Sequence, residues 1–269
     1  MGLRDKKMNK ERALRIGEWL TRLRPLELAV LMKKLLRVQR LETEAQGIKL
    51  WVDPASNFGI RILREGNYEA GLSAAFAELL KPGDTFVDVG ANEGWFSLLA
   101  AKLVGPSGRV LACEPQERLW PVIAKNIALN RLSNITLLPF ACSDCAGQQT
   151  MHLYPSLNSG SSHMGGAARR WEKTQTVEAL PLSDILDGLG GRSVDLLKID
   201  VEGFEHKVLL GAGEYLGTKI CALVVETHAA QLGKLGTNEQ QITALLASKG
   251  YALRRAGDAE VWELLEAGN

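Results

Sequence analysis

Apolar positions Leu14, Ile16, Trp19, Leu20 and Leu23 recur at helical spacing through residues 9–24, with Arg12, Arg15, Arg22 and Arg24 between them. Pro25 breaks the pattern. Residues 26–40 resume it with Leu26, Val30, Leu31 and Leu35, and carry a basic end at Lys33, Lys34, Arg37 and Arg40. Residues 48–52 alternate as a strand and stop at Asp53-Pro54. Residues 68–80 return to a helical spacing closed by Lys81-Pro82-Gly83-Asp84. Continuous apolar runs then alternate with helical segments. Strands are expected at 86–89, 109–113, 135–139, 194–199 and 221–225, and helices to about 104 and over 119–130, 205–215 and 238–249. Helix-length segments between buried strands imply right-handed crossovers and a parallel sheet. Residues 251–255 and 261–265, either side of Gly257-Asp258, read as a closing antiparallel hairpin. Residues 151–154 and 174–179 read as an added hairpin, and the Ser- and Gly-rich loop 155–168 between them as a segment unable to pack a core, either a mobile lid over the site or a solvated loop.

The run from Thr85 to Ser97 organises the chain. The strand 86–89 enters a turn at Gly90, Asn92 and Gly94, and the chain then starts a helix. Strand, glycine turn and helix set backbone N–H groups under the carboxyl edge of a sheet, where a nucleotide-like cofactor is cradled. A dinucleotide fingerprint would need a third glycine in G-x-G-x-x-G, which is missing. Asp88, two residues before Gly90, would sit badly beside a pyrophosphate and suits a cationic amine. The next strand ends in Glu114, placed to accept both hydroxyls of a ribose. An amine, a carboxylate and a ribose in one ligand describe S-adenosylmethionine.

The sequence here resembles the FkbM-type, S-adenosylmethionine-dependent methyltransferases. The resemblance covers roughly residues 47–265. It rests on the 86–97 block, on Glu114-Pro115, on Leu196-Leu197-Lys198-Ile199-Asp200-Val201-Glu202-Gly203-Phe204-Glu205, and on Val224-Val225-Glu226-Thr227-His228. It implies an α/β class I methyltransferase fold, Rossmann-like and doubly wound. The sheet would have seven mainly parallel strands with one antiparallel strand, behind an N-terminal helical appendage. It also implies O-methylation of a hydroxyl on a sugar, glycolipid, polysaccharide precursor or polyketide-like metabolite. Asp88, Gly90 and Asn92 would hold the methionine end of the cofactor, Gly94 would belong to the same cofactor-binding turn, and Glu114 would hold the ribose. Ser143 and Asp144 would reach the adenine.

Methyl transfer to an alcohol needs help with the acceptor proton. Lys198, Asp200 and Glu202 alternate at a strand end, and Glu226 and His228 end the next strand, so all five are expected to border one crevice. A cation inside an apolar strand needs a carboxylate partner, which makes Lys198 the buried countercharge. His228 is the first choice of base, with Asp200 or Glu202 the second. A divalent metal on Asp200, Glu202 and Glu226 is the other way to activate a hydroxyl. His152, His163 and His206 lack such a setting and read as surface residues.

Charge changes the picture at one end. Over 269 residues the formal net charge is +1, which sets aside a nucleic-acid binder. Residues 1–40 nevertheless hold twelve Lys or Arg against four acids, a surplus of eight, so the remaining residues carry −7. The expected organisation is a basic amphipathic appendage, 1–40, followed by a methyltransferase domain, 41–269. The appendage is expected to make helices packed on the domain or on a second copy, or to lie on an anionic membrane surface. Cys113, Cys142, Cys145 and Cys221 sit in or beside apolar runs and read as core residues of a reducing compartment. With no membrane-length apolar run and no secretory signal, a cytoplasmic protein is expected, peripheral at the inner membrane surface if the appendage docks there. The rival readings are a nicotinamide oxidoreductase and a catalytically silent cofactor-binding or membrane-docking module.

Overall fold

A computed structural model describes residues 9–165, 173–256 and 259–265. The expected turn at Gly257-Asp258, the last residues of the 155–168 loop and the first eight residues of the basic segment lie outside the described residues. The chain divides into two compact units, one of residues up to 68 with 154–159, the other of residues 69–153 and 160 onward.

In the first unit, α1 (Lys10–Arg22) and α2 (Leu26–Leu35) flank Pro25 as the pattern predicts, although α2 stops five residues short of the expected end at 40. Asn9 caps α1 by accepting from the Glu11 N–H. Gly17 lies on the inner face, where a Cβ would stand 1.7 Å from the Pro54 carbonyl oxygen. Behind it come β1 (Leu41–Ala45) and β2 (Ile48–Val52), an antiparallel hairpin with Leu41 opposite Val52, and then α3 (Asn57–Glu65). The sequence pattern marks only β2 of this hairpin, because the charged β1 buries Ala45 alone. Leu20, Ala29, Ala55 and Leu157 form one buried cluster of this unit, and Ile48, Leu50, Val52 and Ile62 are fully buried as well.

In the second unit the chain runs α4 (Ala70–Leu79), β3 (Thr85–Val89), α5 (Trp95–Val104), β4 (Arg109–Cys113), α6 (Trp120–Asn130) and β5 (Ile135–Leu138). Then follow β6 (Ala141–Ser143), β7 (Gly147–Leu153), β8 (His163–Met164), β9 (Lys173–Pro181) and α7 (Leu182–Asp187). The chain closes with β10 (Val194–Ile199), α8 (Glu205–Gly211), β11 (Ile220–Val225), α9 (Ala229–Lys234), α10 (Glu239–Ser248), β12 (Tyr251–Ala256) and β13 (Ala259–Leu264). Seven strands pair in the order β12-β13-β11-β10-β3-β4-β5. β11, β10, β3, β4 and β5 are parallel, and β13 runs antiparallel to both its neighbours. This is the expected sheet.

The strands bury both faces. Val87, Val89, Leu197 and Ile199 pack in one core with residues of α7, α8 and α10. The alternate positions face α4 and α5, where the Phe76 ring meets Phe86 at 5.1 Å and Phe96 at 5.0 Å. Asp88 and Lys198 share the parity of Phe86, so two charges enter an otherwise apolar layer.

The expected hairpin at 151–154 and 174–179 belongs to a second sheet of order β6-β9-β7-β8, with Met151 opposite Gln175. The loop between its strands does pack: Leu157 and Met164 are buried, each in the core of its own unit. His152 is buried rather than superficial, its ring 5.4 Å from that of His163. Cys113 and Cys142 are core residues, whereas Cys145 and Cys221 are exposed. No helix of the described residues is long and apolar enough to cross a membrane.

Candidate active site

The site grows from the carboxyl ends of β3, β10, β11 and β4. Asp88 is the fourth residue of a fully buried strand and is 1% exposed. Its Oδ2 accepts from the Ser97 hydroxyl at 2.6 Å, while its Oδ1 is buried with no hydrogen-bond partner. Burial raises the Asp88 pKa, against the opposing pull of Lys198 and Ser97.

Gly90, Asn92 and Gly94 all take positive φ, 90°, 50° and 88°. For Gly90 the reason lies in the sheet as well as in the turn. A Cβ there would stand 1.9 Å from the Asp200 carbonyl oxygen, so only glycine lets β3 and β10 end side by side. The Asn92 N–H donates to Glu114 Oε2 at 2.7 Å, and the Gln116 N–H to Glu114 Oε1 at 2.8 Å. The Glu114 carboxylate thereby ties the turn after β3 to the end of β4. Burial lifts its pKa to about 7 even though these amides favour its charge.

A pocket opens over the turn and the Glu114 carboxylate. Gly90, Asn92 and Glu114 line it together with Asp200 and Glu202, and its apolar walls include Phe140, Cys142, Met151 and Met164. Gly160 and Ser162, from the loop before β8, complete it. Sequence reasoning missed Phe140 and the methionines, because an apolar residue lining a cavity has the same pattern as one filling a core. Asp88, Gly94, Ser143 and Asp144 are not among its walls. Ser143 is fully buried, with its carbonyl 1.8 Å from where a Cβ on Gly211 would lie. Asp144 faces Lys207 at 3.8 Å.

The residues present fit S-adenosylmethionine on two observations. Each Glu114 oxygen keeps a lone pair for a ribose hydroxyl, and the apolar walls suit a purine.

The acceptor side is a charge cluster. Lys198, 2% exposed, places Nζ 3.1 Å from Asp200 Oδ2, 3.9 Å from Asp88 Oδ1 and 5.2 Å from the centre of the Phe96 ring. Burial works against its charge, but Asp200 and Asp88 outweigh it and hold the ammonium firmly protonated. β10 ends at Ile199, and Glu202 sits in a turn with φ 51°. His228 Nε2 lies 3.6 Å from Glu202, 3.9 Å from Asp200 and 3.9 Å from Glu226. Its Nδ1 is 2.9 Å from Oε1 of Glu205, which is wholly buried and also accepts from the Gly203 N–H at 2.9 Å.

All five residues expected at the crevice therefore meet, with Glu205 added. Burial opposes a charge on His228, but the Glu205 hydrogen bond and the Glu202 and Asp200 carboxylates prevail and raise its pKa to about 9. Burial pushes Glu202 up to about 7, with Asp200, Glu205 and Glu226 adding to the rise and His228 opposing it. Asp200, Glu226 and His228 each offer one donor atom within 4.8 Å of the others, a set that could hold a metal. The expected set had Glu202 in the place of His228.

The FkbM methyltransferase domain profile matches residues 88–253. A methyltransferase from Sordaria araneosa, sdnD, is 32% identical over 203 residues, 65% of this chain and 76% of its own. The 31-O-demethyl-FK506 methyltransferase FkbM of Streptomyces tacrolimicus is 30% identical over 201 residues, 65% of this chain and 75% of its own. A crystal structure of methyltransferase FkbM from Methylobacillus flagellatus aligns with a TM-score of 0.46 at 18% identity, over 70% of this chain and 49% of that one. With its sheet order, its glycine turn and these relatives, the chain belongs to the FkbM methyltransferase family and is an S-adenosylmethionine-dependent methyltransferase of class I fold.

Proposed function

We propose that this enzyme methylates oxygen, at a hydroxyl of a sugar, glycolipid, polysaccharide precursor or polyketide-like metabolite. The observation that carries the reading is the cluster of Asp200, Glu202, Glu226 and His228 beside the cofactor cavity. A hydroxyl is a poor nucleophile until its proton is taken, and this cluster supplies groups that can take it. The Streptomyces relative, a 31-O-demethyl-FK506 methyltransferase by name, supports the same class.

When bound, S-adenosylmethionine supplies a methyl group already activated by its sulfonium. Asp88, Gly90 and Asn92 would hold its methionine end, and Glu114 its ribose. The protein's remaining task is to align the hydroxyl and accept its proton. His228 was the first expectation for the base. A pKa raised to about 9 favours its imidazolium at neutral pH, which supports giving the role of base to a carboxylate. Glu202, near 7, is poised to take the proton, and His228 stabilises the carboxylate it faces. Glu205 fixes the ring by holding Nδ1.

The donor set of Asp200, Glu226 and His228 supports a second reading, in which a divalent metal lowers the pKa of the hydroxyl. Incubating a cell extract with isotopically labelled cofactor, with and without the protein, and analysing the products by mass spectrometry tests the class of acceptor. Label on an ether oxygen is the expected result. Label on nitrogen or carbon overturns it.

A further inference from the structure

We propose that α2, with the basic residues around it, docks on an anionic lipid surface. One side of α2 belongs to the core of its own unit: Ala29 is fully buried, with Leu26 and Val30 packed beside it. Lys33 is turned to that side as well, where it pairs with Asp53 and donates to the Ser156 hydroxyl at 2.8 Å. The opposite side carries Leu28, Leu31 and Leu35, which are 39, 53 and 65% exposed. Spacings of three and four residues place them in one stripe along the helix. Leu36, just past the helix end, is 45% exposed. Lys34 stands exposed beside the stripe, with Arg24 and Arg37 exposed at its ends, and Glu27 is the acid of this helix. A helix that lies in a lipid interface has this form: an apolar stripe enters the acyl boundary while cationic side chains reach back to the phosphates.

Charge decides between the occupants of this face. Residues 9–40 hold nine Lys or Arg against three acids. A second copy would cover the leucines only by bringing the same cations against themselves. An anionic surface covers the leucines and neutralises the cations together. Residues 41–269, with a net charge of −7, are repelled by such a surface, so attachment is confined to the basic segment. No described helix is long and apolar enough to span, so the contact is peripheral.

The test uses the full chain with phosphatidylcholine vesicles, with and without phosphatidylglycerol, in flotation at low and high salt. Sedimentation velocity of the free protein is run beside it. Binding to the anionic vesicles alone, weakened by salt, is expected. The surface variant Leu31→Ser/Leu35→Ser should reduce it at least tenfold, and Lys34→Glu/Arg37→Glu should do the same. Circular dichroism and cofactor calorimetry on both variants should match the parent chain and establish that they are folded. Equal binding to neutral vesicles, or none to either, overturns the proposal. So does a dimer that Leu31→Ser/Leu35→Ser dissociates, since the stripe would then be covered by a second copy.

Discussion

Lys198 and Asp88 stand opposite one another in register on β10 and β3, with Nζ 3.9 Å from Oδ1, and the same ammonium reaches Asp200 at 3.1 Å. One buried cation thus joins the acid of the cofactor turn to the acid of the acceptor side. Replacing Lys198 with Met leaves two carboxylates facing each other without a countercharge. The expected loss of stability is about 3–5 kcal/mol, read from urea unfolding, together with weakened cofactor binding. Unchanged stability would show that solvent or rearrangement already compensates the pair.

Glu114→Ala should weaken binding of S-adenosylmethionine and of its demethylated product by roughly tenfold or more in calorimetry. The variant loses the acceptor for the ribose and the clamp on the Asn92 and Gln116 amides. Tighter binding of a nicotinamide dinucleotide than of S-adenosylmethionine would contradict the cofactor assignment.

Turnover should follow a bell in pH. Activity rises as Glu202 loses its proton near 7 and falls as His228 loses its own near 9. Glu202→Gln should cut turnover by roughly 10²–10⁴-fold, leave cofactor affinity nearly intact and abolish the acidic limb. His228→Ala should shift or remove the basic limb. An unaltered acidic limb in Glu202→Gln would pass the role of base to another group.

A chelator separates the two readings of the carboxylate cluster. With Glu202 as base, turnover persists in EDTA at neutral pH. If activity vanishes and magnesium or manganese restores it, the donor set of Asp200, Glu226 and His228 is a working metal site.

The His228 pKa also sets a direction for stability. Its folded value lies above the ordinary 6.5, so its contribution is full below about pH 6.5 and is lost as pH rises through about 9. Thermal unfolding should therefore show the parent chain losing stability between these values. Glu205→Gln, which removes the carboxylate behind Nδ1, should shrink that loss.

The sequence by itself determined the strands of the seven-stranded sheet, the glycine turn after β3, and the acids Asp88 and Glu114 at the ends of their strands. These are legible because a buried parallel strand is a continuous apolar run, and a turn with positive φ shows its glycines locally. It also foretold that Asp200, Glu202, Glu226 and His228 would converge, since parallel strands end on one edge. The tertiary structure alone decided the roles within that edge. Glu205 is the last acid of its motif and looks like a helix-start residue, yet folding buries it against His228 and favours the charged form of that ring. Gly90 reads as a ligand cradle, but the Asp200 carbonyl, 110 residues further on and just past the end of β10, also demands it. Ser143 lies two residues past Ala141, which lines the cavity, and is nevertheless packed against Gly211 of α8. The reason is the same in each case. Chain-local patterns fix which face a residue takes, whereas its partner is chosen by the register and packing of segments far away in the chain.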